Sequence, residues 1–193
     1  MVKPIAPIPF QADFTKPLDV LFHCHQKIAA NLEALRRAGE DLRLSEGKDF
    51  TEIFATVDTV LSHFATAGVK HTQDEEESLF PRIRQYNHTV VSEVFDVIGQ
   101  LEAQHARAAS IEDSLNKMIV NLAAAETLDE NKIDLFGDLS ESLYDLYRPH
   151  IQMENEFVFP AAAEILSKSE LFEVGKEMYQ RRKSSIHSLR TKS

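Results

Sequence analysis

Two stretches of this sequence repeat one another and decide how the rest is interpreted. HTQDEEESLFP (71–81) and HIQMENEFVFP (150–160) align without gaps and agree at six of eleven positions. In each copy a histidine is followed four residues later by a glutamate, which places the two side chains one turn apart on the same helix face. The repetition predicts that each copy supplies one histidine and one carboxylate to a shared metal site. The matched pairs are His71 and His150, Gln73 and Gln152, Glu75 and Glu154, Glu77 and Glu156, Phe80 and Phe159, and Pro81 and Pro160.

The repeat extends to two further histidines. His25 lies 80 positions before His105, and His71 lies 79 positions before His150. At the same offset Leu21 pairs with Leu101. The chain is therefore interpreted as a duplicated helical hairpin, whose pseudo-two-fold axis would place equivalent residues opposite each other across the core.

The composition favours helices within one domain. A chain of 193 residues with six glycines and no tryptophan lacks the frequent turn signals of a sandwich or barrel. The apolar spacing predicts long helices over residues 17–38, 50–80, 89–125 and 132–159, with the first ended by Gly39, the second by Pro81 and the fourth by Pro160. Four helices with short connections predict an all-α, up-down-up-down four-helix bundle.

The expected organisation has four parts. Prolines at positions 4, 7 and 9 predict an extended N-terminal arm over residues 1–16. The bundle covers residues 17–160, an amphipathic stretch predicts a short fifth helix over 161–182, and residues 183–193 form a polar tail. Pro149, inside the fourth helix, predicts a kink there.

Each bundle helix carries one histidine on its apolar stripe, and two of the helices add a glutamate one turn later. A buried carboxylate without a partner costs several kcal/mol, and a buried imidazole still has a ring nitrogen to satisfy. Iron, manganese or zinc would compensate such groups, since imidazole and carboxylate are good ligands for these cations. The predicted metal ligands are His25, His71, Glu75, His105, His150 and Glu154.

The remaining candidates have more ordinary interpretations. His23 is rotated about 200° from the apolar stripe, and Cys24, about 100° from His25, is assigned to packing. Of the acidic run DEEE (74–77), only Glu75 is expected to face the core, with Glu77 and Glu156 making surface contacts. Tyr147 could donate a proton or hydrogen bond at the centre, or be a core tyrosine satisfied elsewhere. His63, His88 and His187 are taken as ordinary residues, although His63 could lie beside the site.

Charge and composition restrict the partners and the compartment. A formal net charge of −10 argues against nucleic acid or an anionic membrane as a partner. No apolar run approaches the roughly 20 residues of a membrane span. A single cysteine cannot form an internal disulfide, and the N-terminus does not have the pattern of a secretory signal, so a cytoplasmic protein is expected.

The residues between about 17 and 160 resemble the hemerythrin family, in particular the bacterial HHE cation-binding domains. The resemblance rests on CHQKI (24–28), H-x-x-x-E before LFP, EAQHARA (102–108) and H-x-x-x-E before VFP. It implies a non-haem di-iron centre, with two iron ions joined by an oxo or hydroxo bridge. The four histidines would then be terminal ligands, and Glu75 and Glu154 would bridge the two metals.

The sequence departs from the oxygen-carrying hemerythrins at two positions. Ala109 stands where those proteins have a second histidine on the third helix, and Asn155 stands where they have an aspartate. The pattern is also similar to the di-iron proteins that repair iron–sulfur clusters and handle nitric oxide, without their small cysteine-bearing N-terminal domain.

Two classes of function follow from the resemblance. The first is a binding protein that captures O2 or NO for storage, delivery or sensing. The second is a di-iron enzyme that acts on nitric oxide or peroxide, or a protein that supplies iron for cluster repair. Ferritin-type iron storage fits poorly, because those bundles use Glu-x-x-His rather than His-x-x-x-Glu.

Overall fold

The computed structural model of the chain describes residues 12–44, 50–86, 92–125 and 129–190, with side chains up to residue 183. Across these residues the regular secondary structure is entirely helical, which confirms the predicted all-α class. We number five helices: α1 (Pro17–Leu44), α2 over residues 51–83, α3 (Ser92–Ala123), α4 over residues 130–165 and α5 (Lys168–Arg190). The assignments of His88 and His187, and most of the predicted arm and tail, lie outside the described residues or side chains.

The four long helices pack in a ring. Helix α1 packs on α2 and α4, and α3 packs on the same two helices from the other side. Helix α5 lies against the second half of α2 and against α1. Each long helix therefore turns one face towards a common interior, as amphipathic helices of this length must to bury their apolar stripes.

That interior consists of two apolar clusters. One contains Leu21, Leu101 and Phe159, together with residues of α5, and the other contains Ile28 and Ala108. On α1, His25 stands between Leu21 and Ile28, and on α3, His105 stands between Leu101 and Ala108. A polar layer therefore separates the two clusters at the level of the histidines.

Helices α2 and α4 continue through the prolines that were expected to end them. A π-helical segment precedes each proline, over Asp74–Leu79 in α2 and over Glu154–Val158 in α4. A proline in a regular α-helix removes a hydrogen bond and clashes with the carbonyl four residues earlier. We attribute the tolerance of Pro81 and Pro160 to the wider π-turn, which relieves both conflicts. The predicted helix ends at these two prolines were wrong.

Helix α1 likewise passes through Gly39, which was predicted to end it, and runs on to Leu44. A Cβ atom added at Gly39 would lie 3.1 Å from the Cα of Gly137 on α4. Gly39 therefore serves the close approach of two helices rather than a helix end.

Two further helix boundaries also differ from the predicted ones. Helix α4 begins at Glu130 rather than Lys132, because Asp129 caps it by accepting a hydrogen bond from the Asn131 N–H at 3.0 Å. The same helix stays α-helical across Pro149 and continues to Ile165, so the fifth helix starts at Lys168 rather than at residue 161. The division into arm, bundle, fifth helix and tail remains a prediction.

Within the described residues, none of the helices combines the length and the hydropathy that crossing a bilayer requires.

Candidate metal centre

The six predicted ligands meet in the polar layer. Helix α1 contributes His25, α2 contributes His71 and Glu75, α3 contributes His105, and α4 contributes His150 and Glu154. All six are buried, and His105, the most accessible, is only 6% exposed. The structure therefore brings together all six residues that the sequence predicted as metal ligands.

The six side chains form two groups that share Glu154. His25, His71, Glu75 and Glu154 offer ligand atoms that all lie within 4.8 Å of one another, and so do His105, His150 and Glu154. Either group has the ligand number and chemistry to hold a transition-metal ion.

The two carboxylates each contact histidines of both groups. Glu154 Oε2 lies 3.1 Å from His25 Nε2 and 3.2 Å from His150 Nε2. Glu75 presents Oε1 to His71 Nε2 at 3.3 Å and Oε2 to His105 Nε2 at 3.6 Å. Both glutamates are thus placed between the two groups of histidines, where a bridging ligand would have to lie.

Acceptor side chains orient three of the four imidazole rings. The Nδ1 atom of His25 lies 2.8 Å from Asn155 Oδ1, that of His105 lies 2.9 Å from Glu76 Oε1, and that of His150 lies 2.8 Å from Gln104 Oε1. Because each partner atom is an oxygen acceptor, Nδ1 carries the hydrogen and donates. When a ring held in this way is neutral, its Nε2 lone pair points at the centre, as metal ligation requires.

The donor atoms have the unsatisfied character expected of a metal site. Both carboxylate oxygens of Glu75 and of Glu154, and Nε2 of His25, are buried without a hydrogen-bond partner among the described residues. Buried charged groups left in this state are costly, whereas a cation placed among them would compensate all of them at once. The residues present therefore fit a bound metal.

Without a cation the centre is neutralised by protons. Burial disfavours charge on His25, but the adjacent Glu154 and Glu75 carboxylates outweigh it and raise the pKa of His25 to about 10. Burial and the charge of Glu154 raise the pKa of Glu75 well above its ordinary value.

For Glu154 burial acts in the same direction, yet the ion-pair contacts with His150 and His25 prevail and hold its pKa far below the ordinary value. Burial also lowers the pKa of His71 and of His105. The metal-free centre at neutral pH therefore carries a proton on His25, which a metal ion would have to displace.

The π-turns begin at the two glutamates themselves. Phe80 N–H donates to the Glu75 carbonyl, and Phe159 N–H donates to the Glu154 carbonyl, five residues earlier in each case. Both phenylalanines are buried, and the Phe159 ring stacks on His25 with centroids 5.2 Å apart. Phe159 therefore packs directly on a candidate ligand, and the helix continues past each Phe-Pro pair.

The acidic run 74–77 differs from its predicted role at two positions. Asp74 was expected on a solvated face, but it is fully buried and pairs with Arg181 Nη1 at 2.9 Å and Arg182 Nη2 at 2.7 Å. Glu76 reaches across to His105. The expectation held for Glu77, which is exposed and accepts from Gln73 Nε2 at 3.1 Å, just as Glu156 accepts from Gln152 at 3.1 Å.

Sequence reasoning missed the three residues that hold the histidine rings. Glu76 and Asn155 each follow a ligand glutamate, and Gln104 precedes His105. Asn155 was noted only as a departure from the oxygen carriers. Their positions next to a ligand in the chain were an available signal, but the histidines they contact lie on other helices.

The other residues considered have different roles. The hydroxyl of Tyr147 donates to Glu112 Oε1 at 3.3 Å, so it is satisfied away from the centre, although its ring contacts His150 edge-on. His23 Nδ1 lies 3.2 Å from Gln26 Oε1 and outside both ligand groups. His63 and Cys24 line a cavity that His71 also borders. Ala109 is exposed.

Comparisons with known proteins agree with this geometry. The chain is 30% identical over 172 residues to an uncharacterized protein of Haemophilus influenzae, a match that covers 89% of this chain and 92% of the relative. The model of the family described as "Hemerythrin HHE cation binding domain" matches residues 16–164, which include all six candidate ligands. The chain therefore belongs to the hemerythrin family of HHE cation-binding domains.

Proposed function

We propose that this protein is a non-haem di-iron protein that binds O2 or NO reversibly, for storage, delivery or sensing. One iron would be held by His25 and His71, the other by His105 and His150, with Glu75 and Glu154 bridging them. The observation that supports this most strongly is the position of Glu154, whose Oε2 lies within 3.2 Å of a histidine from each pair.

The same proposal includes the up-down-up-down order of the bundle. The long helices pack in a ring in which each one contacts the helix next to it in the chain, and α4 returns to α1. Neighbouring helices joined by short connections are expected to run antiparallel. In this arrangement the two hairpins of the repeat would face each other across the metal layer.

Two iron ions in this layer would supply open coordination positions and a reversible change of oxidation state. The chain's own contribution is to orient the donor atoms and keep water away from them. The acceptors on Nδ1 fix the rings, and the apolar clusters above and below exclude solvent. The Tyr147 hydroxyl, whose ring contacts His150, donates to Glu112 rather than to a ligand. This arrangement supports ligand binding over proton-coupled turnover.

The second candidate is a di-iron enzyme acting on nitric oxide or peroxide, or a donor of iron for iron–sulfur cluster repair. It is favoured by the ligand count, because two histidines and two shared carboxylates leave room for exogenous ligands at both metals. A cytoplasmic location is part of either proposal, since one cysteine gives no reason to require an oxidising compartment.

Metal analysis and rapid mixing would test the proposal. We expect about two iron ions per chain in protein reconstituted under anaerobic conditions, and a reduced protein whose O2 or NO adduct dissociates when the gas is removed. Irreversible oxidation with repeated turnover of nitric oxide or peroxide would favour the enzyme. Protein that binds no iron at all would contradict both candidates.

A further inference from the structure

The two halves of the centre are built from equivalent positions but not from equivalent side chains. The residue after Glu75 is Glu76, and the residue after Glu154 is Asn155. These two occupy the same place in the repeat and make the same contact, accepting a hydrogen bond from the Nδ1 of His105 and of His25 respectively. One acceptor is a carboxylate and the other a neutral amide.

A second pair of equivalent positions also provides an acceptor on the His105 and His150 side but not on the other side. Gln104, which precedes His105, accepts from His150 Nδ1 at 2.8 Å. Its equivalent, Cys24, precedes His25, and the corresponding atom, His71 Nδ1, is buried without a hydrogen-bond partner among the described residues. The His105 and His150 rings are thus both held by acceptors, whereas only one ring of the other pair is.

Such partners change how strongly a histidine binds a metal. An acceptor on Nδ1 fixes the ring and raises the basicity of Nε2, and a carboxylate does so more than an amide because the hydrogen bond is charge-assisted. Loss of one such partner typically weakens metal affinity about 10- to 100-fold. Glu76 is about one-third exposed, so we use the lower end of that range.

The less firmly held half also lies beside an open space. A cavity of about 270 Å³ is bordered by His71, Cys24, His63 and Lys70. A metal ion or a competing chelator could approach the His25 and His71 pair from this side.

We propose that the two metal positions are unequal, with the one at His105 and His150 binding a divalent cation about tenfold more tightly than the one at His25 and His71. Glu76 is the positioning residue that sets the order, and its equivalent Asn155 leaves the other metal exchangeable. This inference rests on the proposed two-metal centre.

The test uses cobalt(II) and a swap guided by the repeat. Wild-type protein is loaded with two equivalents, exposed to a limited amount of chelator that removes about one, and crystallised for anomalous scattering. We expect the remaining cobalt mainly at His105 and His150. In the double variant Glu76→Asn/Asn155→Glu, which conserves net charge, we expect cobalt to be divided about equally, because the carboxylate now acts on His25 while Gln104 still holds His150.

Two further variants control for folding and for charge. Glu76→Gln keeps the side-chain shape and should reduce the difference in occupancy without reversing it. Glu156→Gln removes a charge next to Asn155 from an exposed side chain and should leave the wild-type order intact. Thermal melting of each metal-free variant checks that it is folded.

The possible outcomes test this inference separately from the proposed two-metal centre on which it rests. Equal cobalt at both positions in wild-type protein, or an occupancy ratio that neither Glu76 variant changes, would overturn the inference while leaving a two-metal centre. A wild-type protein that takes up fewer than two cobalt ions at saturation would instead contradict the proposed centre itself.

Discussion

His25 Nε2 lies 3.1 Å from Glu154 Oε2, which joins the first bundle helix to the last across a separation of 129 positions in the chain. Both side chains are buried, and among the described residues all of their ion-pair partners lie within the polar layer. The contact therefore links the two hairpins of the repeat through the polar layer. Removing a ligand is therefore expected to affect metal content first and stability second.

The first prediction concerns the shared carboxylates. Glu75→Ala or Glu154→Ala should halve or abolish the iron content, because each glutamate contacts histidines of both pairs. Iron per chain would be measured after reconstitution and desalting. His23→Ala, on the same helix as His25 but outside the centre, should leave the content unchanged. Full iron in both glutamate variants would refute the ligand assignment.

The second prediction concerns protons released on metal binding. His25, with a pKa of about 10, holds a proton at neutral pH in the metal-free protein and must lose it to bind a cation, and the raised pKa of Glu75 opposes its deprotonation in the same way. Apparent metal affinity should therefore rise with pH between about 6 and 9. Calorimetry in buffers of different ionisation enthalpy would count the protons. An affinity independent of pH, with no proton release, would contradict this account.

The third prediction concerns the stability of the metal-free protein. Burial raises the pKa of Glu112 to about 7 although Tyr147 donates a hydrogen bond to it. An acid whose folded pKa exceeds its unfolded value binds more protons when folded, so it stabilises the fold at low pH. That contribution, up to about 3 kcal/mol, should be lost as pH rises from about 4.5 to 7.

Glu112→Gln tests the assignment directly. The glutamine side chain is uncharged at all pH values. The change in unfolding free energy that Glu112 causes between about pH 4.5 and 7 should therefore disappear. Urea unfolding at several pH values would measure it. The same slope in wild type and variant would show that Glu112 is not the group responsible.

The fourth prediction concerns the attachment of α5. Asp74→Asn should destabilise the protein by about 2 kcal/mol, because it removes a buried carboxylate that forms ion pairs with Arg181 and Arg182. Amide exchange in α5 should accelerate more than in α3. Asp113→Asn is the matched control, since its pair with Lys117 is exposed on both sides and should change stability by less than about 0.5 kcal/mol.

The fifth prediction uses two glycines in helices. A Cβ added at Gly175 would clash with the backbone carbonyl oxygen of Phe14, so Gly175→Ala should cost about 1–3 kcal/mol through displacement of that segment. A Cβ at Gly99 would meet nothing within 4 Å, so Gly99→Ala should stabilise α3 by up to about 1 kcal/mol. Thermal unfolding of both variants measures the contrast, which would be absent if Phe14 did not pack on α5.

The six candidate ligands could be found from the sequence because their placement is a local property of helices. Spacings of three and four residues decide which side chains share a face, and the repeat showed that His25 and His105, like Glu75 and Glu154, occupy equivalent faces. The same logic correctly left His23 out of the ligand groups, although its ring is partly buried. It placed Glu75 alone of the DEEE run in the core, which was wrong for Asp74.

The errors and omissions all involve contacts between helices or a change of helix type. Asp74 is buried because α5 brings two arginines to it, and Glu76, Gln104 and Asn155 act on histidines of other helices. Pro81 and Pro160 lie within continuous helices because a π-turn precedes each. Helical periodicity determined which residues face the core, since it depends only on neighbours in the chain. The tertiary structure decided which side chains hold each histidine, since those partners come together only when the four helices pack.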